Sequence, residues 1–189
     1  MSDEDDADRF TALFRRYHAR ILAYALRRTE EGHAEDVVAE TFTAAWRHIG
    51  RLPDDPLPWL YRTAHNCLAN QRRTVRRQVR LAGRVAGHLA AGHLEVPDHA
   101  TGVVEDVQLR AALAELAPRD RETLLLLSWE GLDHRSAAYV TGCSVTAFKV
   151  RAHRARKRLT ALLDAADTTP VRSAAAPAAV RTQRSEESR

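Results

Sequence analysis

The stretch from Gly131 to Leu163, GLDHRSAAYVTGCSVTAFKVRAHRARKRLTALL, decides how this chain is read. A short helix, a tight turn holding Gly142 and a second helix make the helix-turn-helix pattern. Ser144 stands directly before Val145, where its hydroxyl can cap the first free N–H groups of the second helix. In that helix Val145, Phe148, Ala152, Ala155, Leu159 and Leu162 recur at 3-4-3-4-3 spacing, which predicts an inward stripe. At about 100° per residue the opposite face carries Thr146, Val150, His153, Arg154 and Lys157, with Lys149 and Arg151 on its flanks. A helix that enters a major groove needs such a face, with cations for phosphate and side chains that reach base edges. An ordinary basic helix closing a small bundle is the plainer alternative, but it has no need of Gly142 followed so closely by a capping serine.

Working back from this stretch, helical patterning begins near Glu105. Leu109, Ala112, Leu113 and Leu116 form one stripe, Pro118 opens the next helix at a tolerated first-turn position, and Leu124 to Trp129 reads as buried. Residues 81–104 are small and repeatedly interrupted by glycine, which predicts a flexible linker. Ahead of it lie three further helices. The first, about 8–28, places Phe10, Leu13, Phe14, Tyr17, Ile21, Tyr24 and Ala25 at helical spacing. The second, about 33–49, sets Val38, Phe42, Ala45 and Ile49 against an opposite stripe of Asp36, Glu40, Thr43 and Arg47. Pro53, Pro56 and Pro58 make 50–58 a loop. A third helix from Trp59 buries Leu60, Ala64, Cys67 and Leu68 and ends strongly basic. Trp46 and Trp59 are expected to pack in the core. The tail from about 166 to 189 is Ala, Pro, Ser, Thr and Arg with little to bury, and disorder is expected there.

The predicted architecture is therefore all-α: two small helical domains joined by a flexible linker, the C-terminal one a helix-turn-helix. Their expected bounds are 1–80 and 105–165. The net charge of +4 is modest, yet it is concentrated. Arg62, Arg72, Arg73, Arg76, Arg77 and Arg80 form one acid-free run, and Lys149, Arg151, Arg154, Arg156, Lys157 and Arg158 form another. Two such runs, each beside a candidate DNA-reading element, suggest two contacts with a polyanion. The two cysteines, Cys67 and Cys143, fall in different predicted domains and make no disulfide framework. Neither CxxC nor HExxH occurs, so no metal or other cofactor is expected. The acidic opening MSDEDDADRF is unlike a signal peptide, and no run approaches the roughly 18 apolar residues of a membrane span, so membrane insertion is not expected and a cytoplasmic location is.

Residues 111–163 resemble the C-terminal domain of extracytoplasmic-function sigma factors of bacterial RNA polymerase. The resemblance is carried by Leu116 with Pro118, Arg121, Gly131 with Leu132, Gly142 with Ser144, and His153 to Arg156. The N-terminal half is similar to the same family's other domain through AEDVVAETFTAAWR (34–47) and WLYRTAHN (59–66). Departures from the family pattern include Ala39, His65, Ser136, Ala137, Thr141 and Cys143.

The resemblance implies that the chain is a sigma factor and not an enzyme, with core polymerase (its clamp and flap), promoter DNA and an anti-sigma factor as partners. It implies clamp binding by Glu35, Asp36, Glu40, Thr43 and Arg47. Capture and melting of the −10 element would fall to the 50–58 loop and the helix after it, through Arg51, Asp54, Trp59, Tyr61, Arg62, His65, Asn66, Asn70 and Arg73. Reading of the −35 duplex would fall to Ser144, Thr146, Lys149, Val150, His153, Arg154 and Lys157. Elements about 17 base pairs apart at roughly 3.4 Å each lie near 60 Å apart, and about 24 linker residues can span about 80 Å when extended. The competing reading is a stand-alone helix-turn-helix regulator, which would need a dimerisation surface. A metal hydrolase built on His33, Glu35 and Asp36 is the weaker alternative, because these residues equally suit a helix start with acids in its first turn.

Overall fold

The computed structural model describes residues 3–85 and 107–168, and every regular element among them is helical. Helix α1 is Asp3–Leu26 and α2 is Glu31–Arg47. A single 3-10 turn, Ile49–Arg51, leads into α3, Leu57–Val85. The second unit holds α4 (Val107–Glu115), α5 (Pro118–Ser128), α6 (His134–Thr141) and α7 (Val145–Thr168).

Helix boundaries follow local chemistry. The start of α1 lies several residues before the apolar pattern begins, with Glu4, Asp5 and Asp6 in the opening turns, where carboxylates favour the positive end of the helix. The expected 50–58 loop shrinks to residues 52–56. Its first part closes as the 3-10 turn, and α3 begins at Leu57, whose N–H donates to Asp55 Oδ1 at 3.3 Å. Pro58 then falls in the first turn of α3, where its missing N–H costs no hydrogen bond. At its other end α3 runs on to Val85, beyond the expected boundary at 80. The rest of the expected linker lies outside the described residues, as does the tail from 169.

The helix-turn-helix is built by three local devices. Asp133 caps α6 by accepting from the Ser136 N–H at 2.7 Å. Gly142 ends α6 at φ 66°, a left-handed conformation that costs a residue with a Cβ about 1 kcal/mol or more. The Cys143 N–H then reaches back to Ala138 O at 3.1 Å. Ser144 Oγ accepts from the Ala147 N–H at 3.2 Å and so caps α7.

Ile21, Tyr24 and Ala25 of α1 meet Val37, Phe42 and Ala45 of α2 and Leu60, Ala64 and Leu68 of α3 in one core. Each large aliphatic side chain so buried contributes about 1.5–3 kcal/mol. Of the predicted inward stripe of α7, Phe148, Ala152 and Ala155 are buried, and Leu159 and Leu162 are half-buried. Val145 is 38% exposed, because as the first helical residue it projects past the packed turn. Trp46 also departs from expectation: it is 44% exposed at the rim, with its ring edge on Phe10 at 5.2 Å between centroids. Trp59 is half-buried against the core.

The two units touch. Helix α6 packs along α3, and the core formed by α1 to α3 continues without a break into Leu126, Leu132, Ala137, Ala138 and Val140. Ala137 and Ala138 are both fully buried there, and small side chains at these positions let α6 approach α3 closely.

Candidate nucleic-acid interface

Helix α7 rests on α4, α5 and α6, which turns its remaining face outward. Ser144, Thr146, Lys149, Val150, His153, Arg154 and Lys157 are all exposed on that face. It combines cations with Val150 and His153, so phosphate and base-edge contacts are available on one surface.

The α3 residues are divided. Arg51 and Asp54, just ahead of α3, are exposed, as are Asn66, Asn70 and Arg73 along it, while Trp59 is half-buried. Tyr61 is 1% exposed, with its ring 5.1 Å from that of Tyr24. Arg62 donates to Tyr139 O at 2.8 Å and lies 4.6 Å above the Tyr139 ring. His65 Nδ1 lies 3.4 Å from Tyr24 Oη and 3.6 Å from Glu122 Oε1. Three of the nine residues expected at the −10 strand therefore face the second unit instead of solvent. On α2, by contrast, Glu35, Asp36, Glu40, Thr43 and Arg47 are all exposed, and His33 at its start is exposed as well.

Between the units lies an ion network that has no counterpart in the sequence expectations. Arg28 Nε donates to Glu122 Oε2 at 2.9 Å, and its Nη1 donates to Glu130 Oε1 at 3.0 Å. Arg27 Nη2 donates to Glu130 Oε2 at 2.7 Å. The Arg28 guanidinium also sits 3.7 Å from the centre of the Tyr24 ring, whose hydroxyl donates to Glu122 Oε1 at 3.2 Å. The side chains of Arg28 and Glu130 are only 3% and 2% exposed.

Burial by itself would raise the pKa of Glu122, but Arg28 and the hydrogen bonds from His65 and Arg28 outweigh it and hold the carboxyl down at about 2. Burial and the Glu122 charge push Tyr24 well above the ordinary phenol range. The depressed Glu122 carboxyl stabilises the contact fully above its free value of 4.5, and that contribution is lost as pH falls toward about 2. Acid titration followed by small-angle scattering should show the units separating within that window. Glu122→Gln should flatten the dependence, and an unchanged titration in that variant would remove Glu122 from the contact.

The cysteines take no part in these surfaces. Cys67 is buried in the first unit, with burial pushing its thiol up to about 11, and Cys143 lies half-buried in the turn of the second. Among the described residues no group of three or more metal-ligating side chains comes together, and no helix is long and apolar enough to cross a membrane.

A sigma-70 region 2 family model matches residues 13–78, and a sigma-70 region 4 model matches residues 106–159. RNA polymerase sigma factor NccH of Alcaligenes xylosoxydans xylosoxydans is 34% identical over 162 residues, covering 77% of this chain and 82% of that one. ECF RNA polymerase sigma factor EcfG of Rhodopseudomonas palustris is 36% identical, covering 69% and 71%. The chain belongs to the extracytoplasmic-function sigma factors. It is a transcription initiation factor that directs RNA polymerase to promoters, and the stand-alone regulator is set aside.

Solved relatives have the same fold as this sigma factor. RpoE of Bartonella quintana, determined in complex with the anti-sigma factor NepR, aligns with a TM-score of 0.64 at 26% identity, covering 82% of this chain and 96% of that one. CnrH in complex with the cytosolic domain of CnrY aligns at 0.55 and 33% identity, covering 82% and 88%.

Buried ion partners could have been found from sequence. Arg28 lies seven residues after Ile21 and four after Tyr24, on the core stripe of α1. Glu122 and Glu130 flank Leu126 at four-residue steps, on the core stripe of the second unit. Opposite charges on two inward stripes are the signature of a pair made across an interface.

Proposed function

We propose that this sigma factor divides its work among three surfaces. The exposed acidic and polar face of α2 (Glu35, Asp36, Glu40, Thr43, Arg47) docks on the polymerase clamp. The 50–58 segment and α3 hold the melted −10 strand. The outward face of α7 reads the −35 duplex, while the second unit also meets the flap. The observation that carries the proposal is the separation of two exposed helix faces of unlike charge, one on each unit, each backed by its own packed stripe.

An anti-sigma factor is a further partner, supported by the complex of the RpoE relative with NepR. Because RNA polymerase is the target, the chain acts in the cytoplasm. Its role is recognition of protein and DNA surfaces, with no reaction to catalyse and no cofactor to hold.

The docking surface is tested by reversing two charges. Asp36→Lys with Glu40→Lys should weaken the complex with core polymerase about tenfold or more, since like charges facing each other across an interface cost several kcal/mol. Helicity should be unchanged, because both side chains are exposed. Equal affinity of the variant and the parent for core polymerase would overturn the docking assignment.

A further inference from the structure

On α7, Lys149, Arg154, Arg156, Lys157 and Arg158 are exposed, and Arg151 is half-buried. Its guanidinium turns back across the turn of the helix-turn-helix, where Nη1 donates to Cys143 Sγ at 3.9 Å. Cys143 Sγ lies 3.3 Å from Thr141 Oγ1, which in turn lies 3.0 Å from Ala137 O and 3.3 Å from Ala138 O. Thr141 and Cys143 are both half-buried.

Donor and acceptor capacity orders this chain of contacts. The guanidinium only donates and the two carbonyls only accept, while the thiol and the hydroxyl each carry one proton. The order that uses each proton once runs from Arg151 N–H to Cys143 Sγ, from Cys143 S–H to Thr141 Oγ1, and from Thr141 O–H to a carbonyl near the end of α6. The far end is anchored. Cys143 N–H donates to Ala138 O at 3.1 Å, and Ala137 and Ala138 are buried where α6 packs on α3.

The near end belongs to the DNA-facing helix, since Arg151 directly follows Val150 and stands two residues before His153. Beyond Phe148 the packed stripe of α7 continues as Ala152 and Ala155, small side chains that resist rotation of the helix only a little. A helix with its side chains has a radius of about 5–6 Å, so a rotation of about 10° moves a side-chain tip by about 1 Å. Recognition of base edges tolerates about 0.5 Å and 10–20°. A restraint on rotation at Arg151 therefore acts on what Val150 and His153 can reach.

We infer that Arg151, Cys143 and Thr141 form a strap that fixes the rotation of α7 about its axis, so that Arg151 is a positioning residue for the −35 reading proposed for this helix and makes no DNA contact of its own. Sequence preference then depends on a side chain that touches no base, and the arginine adds nothing to the count of phosphate contacts.

The test uses holoenzyme assembled from the full chain and core polymerase, with labelled promoter duplexes randomised over the −35 element as the probe, at several salt concentrations. Arg151→Ala should lower enrichment of the preferred −35 sequence about tenfold, the size of one misplaced base contact, and leave the salt dependence unchanged. Cys143→Ala and Thr141→Val cut the same strap and should do the same. The double variant Arg151→Ala with Cys143→Ala should be no worse than either single one. Cys143→Ser keeps a donor and an acceptor and should hold enrichment within about twofold of the parent. A uniform loss of affinity with a shallower salt dependence in Arg151→Ala would make Arg151 a phosphate contact and overturn the strap. Additive losses in the double variant, or unchanged enrichment in all the strap variants, would overturn it as well. Val150→Ala, measured alongside, separates this from the reading it rests on. If only Val150→Ala changes the preference, α7 reads the element and the strap alone is refuted; if Val150→Ala also leaves it unchanged, the −35 reading by α7 falls and the strap with it.

Discussion

Phe148→Ala should destabilise the second unit by about 3–5 kcal/mol, the usual cost of removing a buried aromatic side chain. Phe148 is fully buried, with the His134 ring set edge-on and the two ring centres 6.2 Å apart, and it anchors the first turns of α7 against α6. Its loss leaves a cavity at the point where the turn through Gly142 hands the chain to the DNA-facing helix. Urea titration of the full chain, followed by far-UV circular dichroism, should show a transition shifted to lower denaturant. Phe148→Leu should recover most of the shift. If Phe148→Ala left stability untouched and altered base preference, α7 would be rotated from its assigned orientation.

Arg121→Ala carries the second large effect. The Arg121 guanidinium donates to Leu113 O at 2.6 Å through Nε, and to Ala114 O at 2.5 Å and Leu116 O at 3.2 Å through Nη2. The Leu113 and Ala114 carbonyls lie in the last turn of α4 and Leu116 follows directly after it, so one planar fork closes the helix and ties it to α5. Removing it leaves the part-buried Leu113 and Leu116 carbonyls short of a partner, at a cost of about 2–3 kcal/mol in the same urea measurement. Arg121→Lys should recover only part of this, because an ammonium reaches fewer of the three carbonyls. Full recovery by lysine would mean that charge at the helix end matters and the fork geometry does not.

The fold was legible where periodicity and capping agree. The stripe through Phe148, Ala152 and Ala155 gave the orientation of α7, and Gly142 with Ser144 gave its start, because left-handed backbone and N-caps are set by the residue itself. Tyr61 is buried for a reason visible in the pattern: it follows Leu57 by four and precedes Leu68 by seven, on the buried side of α3. Its aromatic ring suggests stacking on a base, while the register of the helix sets it against Tyr24 in this arrangement. The contact between the units was not legible as an arrangement, because Ala137 and Ala138 suit a close helix crossing with any partner of the right shape. Composition of the segment that joins the units sets how far apart they can move and says nothing about whether they touch.

If this sigma factor brings core polymerase to two DNA elements through two different units, transcription in vitro with core polymerase and a promoter library randomised over both elements will separate their contributions. The parent chain should enrich two sequences about 17 base pairs apart. Val150→Ala or His153→Ala should change only the upstream one, by about 1–3 kcal/mol of discrimination per lost base contact, while Lys157→Ala should lower output from all sequences alike. Initiation that does not depend on the chain, or both elements shifting together when α7 alone is altered, would rule out the division of promoter reading between the two units.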